Sequence, residues 1–207
     1  MRTLLRSALV ALALAIPAFA DEAAKWNIDP SHTSAGFAVR HMMVSTVRGS
    51  FGGVKGSATF DGKDLAKLTL EASIDATTID TGNADRDKHL KSADFFDVEK
   101  FPTLTFKSKR AEKAGEGKLK LTGDLTIHGV TKEVVLDVDG PSAAVKDPWG
   151  MTRIGATAST RIKRSDFGLT WNKVIEAGGV AVGDEVTITI DVELVKEQPL
   201  AADPAKK

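Results

Sequence analysis

Between Lys67 and Thr77 apolar and polar side chains alternate without a break: Leu68, Leu70, Ala72, Ile74 and Ala76 on one phase, Lys67, Thr69, Glu71, Ser73 and Asp75 on the other. Successive side chains of a strand point to opposite faces, so this period gives one apolar and one wet face, and a helix cannot carry it. The same phase returns at Leu104 and Phe106; at Leu119, Leu121, Gly123, Leu125 and Ile127; and at Val134, Leu136 and Val138. It returns again at Ile154, Ala156, Ala158 and Ile162, and at Val186, Ile188, Ile190, Val192 and Leu194. Upstream, Ala35, Phe37 and Val39 form one more stretch and Val47 to Phe60 another. The pattern predicts an all-β fold of eight antiparallel strands with one buried and one solvated face. Alternation alone fits a closed barrel and a two-sheet sandwich equally.

Three segments interrupt the rhythm. Asn83 to Leu90 opens on a capping residue, carries Asp85 and Asp87 early and Lys88 late, and so predicts one short helix between strands. The Gly52-Gly53 pair shifts the phase of the Val47–Phe60 stretch and predicts a bulge or sharp bend. The long connection from Lys163 to Gly183 carries Phe167, Trp171 and Ile175, which suits an ordered loop covering one end of a barrel.

Residues 1–20 have the form of a secretory leader: Arg2 and Arg6, an apolar run from Ala8 to Ile16, then Ala18-Phe19-Ala20 before Asp21. The expected organisation is a cleaved signal over 1–20, one barrel domain over 21–196 and a disordered tail over 197–207, with the mature chain in the periplasm. Only Arg2 and Arg6 of the 28 basic residues fall in the leader, against 28 acidic residues in all, so the mature chain stays near neutrality. That balance argues against a nucleic-acid partner. With no cysteine there is no disulfide and no thiol nucleophile, so stability rests on an ordinary core.

Chemistry-bearing motifs are absent from the sequence. The four histidines, His32, His41, His89 and His128, are not paired at helical or finger spacing, and no metal is expected; a cluster of His32, His41 and Asp29 is the one alternative. Neither a nucleophile elbow nor a phosphate loop nor a dinucleotide fingerprint occurs, and Asp94 and Asp97 read as loop caps. No catalytic residue is assigned, and a non-enzymatic role without a resident cofactor is expected.

Four strings carry a resemblance: DPSHTSAGFAVRHMMVSTVRGSF from Asp29 to Phe51, RDKHLKSADFFDVEKFPTLTFKS from Arg86 to Ser108, LTIHGVTKEV from Leu125 to Val134, and RSDFGL from Arg164 to Leu169. Together they resemble the YceI-like family of bacterial periplasmic proteins. The resemblance implies an extended, lipocalin-like barrel whose interior binds a polyisoprenoid or another long-chain lipid, a quinone tail in some members. The implied function is a periplasmic carrier. Two rivals remain: a stress-related interaction module with a filled barrel, and a quinone-linked redox protein.

On this reading the ligand-facing wall is Phe37, Val39, Phe51, Leu68, Leu70, Ile74, Phe106, Leu121, Leu125, Leu136, Ile154, Ile188 and Ile190. The bland alternative makes the same residues a solid core. Arg40, His41, Arg86 and His89, where strands meet loop or helix, are the candidates for a polar head group; alternatively the arginines pair with acids such as Asp85 or Asp94. Met42-Met43 is either an adaptable lip or a buried turn, and Trp26, Trp149 and Trp171 are end plugs or core anchors. Partners implied are a long-chain isoprenoid lipid and transient membrane contact, with a homodimer left open.

Overall fold

The computed structural model describes residues 23–61, 64–175 and 178–198; the expected leader and the tail from 199 lie outside them. The strands are β1 (Ala24–Ile28), β2 (Ser34–His41), β3 (Ser45–Phe51), β4 (Lys55–Phe60), β5 (Thr69–Asp75), β6 (Thr103–Gly115), β7 (Lys118–Ile127), β8 (Val130–Asp139), β9 (Val145–Lys146), β10 (Thr152–Lys163) and β11 (Val182–Lys196). The helix α1 (Ala84–Lys91) lies between β5 and β6. Asn83 caps it by accepting from the Arg86 N–H, as its position ahead of an acidic first turn predicts.

Every pairing is antiparallel, and the β10–β11 ladder, running from Arg153↔Val195 to Lys163↔Glu185, closes the sheet on itself. The closed ring has eight staves, because three are split: β1 and β2 both pair with β11, β3 pairs with β2 where β4 pairs with β1, and β8 and β9 both pair with β10. The second split falls at Gly52-Gly53, where Gly53 takes a left-handed φ of 65°. The first was not predicted as a strand at all. Ala24, Trp26 and Ile28 do alternate with Lys25 and Asn27, but the run is five residues long and stops at Asp29-Pro30.

The stretch 67–77 is shorter as a strand than its alternation. Single-turn 3-10 helices at Leu65–Lys67 and Ala76–Thr78 flank β5, because the Asp64 and Asp75 carboxylates accept from the Ala66 and Thr77 N–H groups and bend the chain. The inward phase survives the bend, since Ala76 is fully buried.

Ladder ends place β2–β3, β5–β6, β7–β8 and β10–β11 connections at one end of the barrel. That end carries α1, the segment to Pro102 and the 164–181 connection, which bring Phe95, Phe167 and Leu169 into one buried cluster with Phe51, Leu104 and Ile127. The outer face is wet, with cross-strand pairs such as Lys107–Glu71 and Lys120–Asp137, each at 2.7 Å. These are exposed and add little to stability.

Candidate functional site

The inward phases do not meet. They enclose a cavity of about 270 Å³ whose wall is drawn from all eight staves. The wall runs from Trp26, Phe60 and Pro141 at one end to Leu90, Phe95 and Leu169 at the other. Phe37 and Val39 of β2, Phe51 of β3, Leu68, Leu70 and Ile74 around β5 and Phe106 of β6 all line it. So do Leu121 and Leu125 of β7, Leu136 of β8, Ile154 of β10, and Ile188 and Ile190 of β11. A cavity with such a wall holds no attraction for water.

Small residues make the room. Ala35, Ala58, Ala72, Ala156 and Ala158 share the wall with the larger side chains. Two glycines let aromatic rings lie against the sheet: a Cβ at Gly49 would sit 2.5 Å from the Phe37 ring, and one at Gly123 would sit 2.5 Å from the Phe106 ring. With ordinary residues there, both rings would be pushed off their present positions.

At the α1 end, aromatic rings stack into a plug. Phe51 meets Phe37 at 5.7 Å and Phe96 at 5.4 Å between centroids, while Trp171 meets His89 at 4.8 Å and Phe95 at 5.2 Å. The predicted loop at 163–183 therefore does cover this end, with Phe167 and Leu169 buried beneath it. Trp171 is an end plug, whereas Trp149 is largely exposed at the other end.

One charged side chain stands on the wall, and it was missed as a site residue. Arg164 is only 8% exposed and lines the cavity where β10 ends. Its guanidinium donates to three carbonyls: Nε to Gly183 at 3.0 Å, Nη1 to Leu169, and Nη2 to Val182 at 3.4 Å. Burial pulls its pKa below the usual arginine value, opposed by the charge of Asp184. The Asp184 carboxylate itself is held by the N–H and hydroxyl of Ser165. The sequence signal was a basic residue ending an alternating strand just ahead of Phe167 and Leu169.

The four head-group candidates ring the same end without reaching the wall. Arg40 donates to the Thr46 hydroxyl at 3.1 Å and the Met43 carbonyl at 2.7 Å, and His41 pairs with Ser45 and Val182 at the last rung of β2. Arg86 donates to the hydroxyl and carbonyl of Thr81, at 2.7 and 2.8 Å, rather than to Asp85 or Asp94. His89 is hydrogen-bonded to Asp94 at 2.9 Å, with Phe95 and Trp171 edge-on to its ring.

The opposite end carries a cluster of charged side chains outside the cavity wall. Arg153 reaches Asp29 and Asp147, each at 2.7 Å, and also Glu193, while His32 meets Asp29 at 3.0 Å. These bonds hold the Asp29 and Asp147 carboxyls well below the usual carboxylate range and raise the pKa of His32. His41 lies at the other end of β11, so the alternative cluster of His32, His41 and Asp29 is not formed.

A family model described as a YceI-like domain matches residues 26–194. A UPF0312 protein of Vibrio parahaemolyticus is 40% identical over 160 residues, covering 76% of this chain and 84% of its own. The YceI protein of Campylobacter jejuni superposes with a TM-score of 0.66 at 34% identity, covering 77% of this chain and 90% of that one. A polyisoprenoid binding domain from Saccharophagus degradans shares the fold with a TM-score of 0.61 at 15% identity, covering 85% of this chain and all of that one.

Proposed function

Since this chain belongs to the YceI-like family, we propose that it is a periplasmic binding protein that carries a long-chain isoprenoid lipid in its barrel and shields the chain from water. The observation that carries this reading is the continuous apolar wall, contributed by every stave and plugged by rings at one end. A linear hydrocarbon fits a cavity spanning the barrel. Each methylene buried there contributes about 0.8 kcal/mol, so affinity needs no dense set of polar contacts. The named property of the Saccharophagus domain, whose fold this chain shares, supports the same ligand class.

The polar end of the lipid belongs at the Arg164 end, where the wall carries its one charge and four further polar side chains surround the mouth. A wall of alkyl and aromatic groups suits holding over turnover, so the role is non-catalytic. A filled barrel acting purely as a protein-interaction module would lack the cavity that the small residues open.

Titration of the mature chain with a fluorescent polyprenol tests the reading. Saturable one-to-one binding, displaced by unlabelled polyprenol, is the expected result. A signal that never saturates, or that persists after the barrel is unfolded, overturns it.

A further inference from the structure

The cavity is stopped differently at its two ends. At the α1 end it meets the plug, in which Phe95, Phe167 and Leu169 are buried. At the other end Trp26 is fixed, since it is buried and paired on both sides, with Lys196 of β11 and Ala58 of β4. Pro141 shares that end but belongs to a bulged piece of chain. Asp139 of β8 pairs with Thr157 of β10, and Val145 of β9 pairs next, with Arg153. Five residues, 140–144, therefore stand opposite three, 154–156, and the surplus forms an arch over β10. Gly140 enters the arch at a φ of 133°, so close to β10 that a Cβ there would stand 2.7 Å from the Ala156 Cβ. The Gly140 N–H donates to the Gly117 carbonyl at 2.7 Å and the Ser142 N–H to the Gly155 carbonyl at 2.8 Å, while the Ser142 hydroxyl accepts from the Gly155 N–H at 3.0 Å. Pro141 is half-buried, and every residue from Ser142 to Lys146 is exposed.

Outside the arch lies an open groove. Pro141, Ala156 and Val192 line both the groove and the cavity, so a single layer of residues separates the two. The rim of the groove is charged, and its charges are engaged with neighbours: Glu193 with Arg153, Asp191 with the Thr157 hydroxyl at 2.7 Å, His32 with Asp29 at 3.0 Å, and Asp139 with Lys118 at 3.9 Å. Lys146 and Asp147 follow the arch, and Asp147 is held by Arg153. Within the arch Ala143 and Ala144, with Val145 beside them, are apolar yet exposed, Val145 by 58%.

The barrel is finite in length. The 15 residues of β11 rise about 50 Å at about 3.3 Å each, and a strand tilt of about 35–45° leaves about 35–40 Å along the axis. A chain seated with its polar end at Arg164 and longer than this presses on Trp26 and Pro141. Of the two, Pro141 yields, because moving it breaks the few bonds of the arch, whereas moving Trp26 disrupts two ladders and a buried cluster.

We propose that the arch is a yielding end-stop: an isoprenoid chain longer than the barrel lifts Pro141, passes between the arch and Ala156 into the groove, and is covered there by Ala143, Ala144 and Val145. Chain length is then open at its upper end instead of fixed by the barrel. The inference rests on the carrier reading and adds to it the range of ligands carried.

The test locks the arch with the double variant Ser142→Cys/Gly155→Cys. These residues already bond to each other, and the nearest atom a Cβ on Gly155 would meet is the Val192 carbonyl oxygen, 3.6 Å away. The chain has no other cysteine, so oxidation closes the arch and reduction frees it. A bound fluorescent geranylgeraniol analogue is displaced by geranylgeraniol, which the barrel encloses, or by undecaprenol, which when extended it does not. Geranylgeraniol should displace the probe equally from both forms, whereas undecaprenol should lose roughly tenfold or more in affinity for the disulfide-bonded one. In wild type the Ser142 and Gly155 amides should exchange hydrogen faster with undecaprenol bound than with geranylgeraniol, a readout that decides the matter alone should the disulfide not form. Equal displacement by undecaprenol from the disulfide-bonded and reduced forms, or equal exchange under the two lipids, overturns the yielding end-stop. Displacement by neither alcohol in wild type overturns the carrier reading and the end-stop with it, and so is distinguished from failure of the arch alone.

Discussion

His89 and Trp171 meet edge to face, with ring centroids 4.8 Å apart at 89°, and so lock the helix α1 to the 164–181 connection across the mouth of the barrel. Neither element is held to the other by backbone ladders, so the plug depends on this aromatic joint and on Phe95 beside it. Trp171→Ala should lower stability by about 2 kcal/mol. It should also speed release of a bound fluorescent lipid to acceptor vesicles. Unchanged release kinetics would show that the mouth opens elsewhere.

Arg164→Met keeps an unbranched apolar stem but removes the donor to the Leu169 and Gly183 carbonyls and leaves that of Val182 with Asn172 as its side-chain donor. Each buried group left unsatisfied costs about 1–3 kcal/mol, so a clear fall in the urea midpoint is expected. If the charge also orients the polar end of the ligand, Arg164→Lys at a matched temperature below its transition should bind polyprenyl phosphate better than Arg164→Met does. Equal binding by the two variants would confine Arg164 to bracing the loop.

Gly123→Ala drives a methyl group toward the Phe106 ring and the Lys107 carbonyl, both 2.5 Å away. Overpacking of this kind costs about 1–3 kcal/mol. It should also alter lipid capacity, because Phe106 forms part of the wall. Gly155→Ala is the matched control, since its nearest neighbour, the Val192 carbonyl, is 3.6 Å away. Denaturant midpoints should fall for the first and stay near wild type for the second.

The charged end predicts a pH window. His32 and then Arg153 depress the Asp29 pKa, and its carboxylate is only 15% exposed. Its contribution to stability is complete above the unfolded value of about 3.9 and is lost as pH falls toward the depressed folded value. His32, raised chiefly by its hydrogen bond to Asp29, contributes fully below about 6.5 and loses that contribution as pH rises through its folded value. Thermal midpoints should therefore be highest between the two limits. His32→Gln should remove the alkaline decline and leave a smaller acid one, which Arg153 sustains; an unaltered alkaline limb would place its origin in another group.

Much of this was legible in the sequence because a barrel wall is written in period two. Leu121, Ile154 and Ile190 sit on the inward phase and face the cavity, and Asn83 caps α1 as its neighbours imply. The closure of the ring was not legible in alternation, which a sandwich shares; it is a matter of the β10–β11 ladder. Whether the inward phase fills the barrel or leaves it hollow was equally hidden, since it turns on cross-strand relations such as Phe37 over Gly49. Arg164 escaped notice for a different reason: its place at the end of an alternating strand is visible, but a guanidinium satisfied by three carbonyls requires the folded loop.

The most direct measurement is native mass spectrometry of the chain recovered from its own host, followed by organic extraction of whatever the unfolded protein releases. The account predicts one long-chain isoprenoid lipid per chain, lost on denaturation. A bare protein mass, from a chain that also fails to take up added polyprenol, would contradict it.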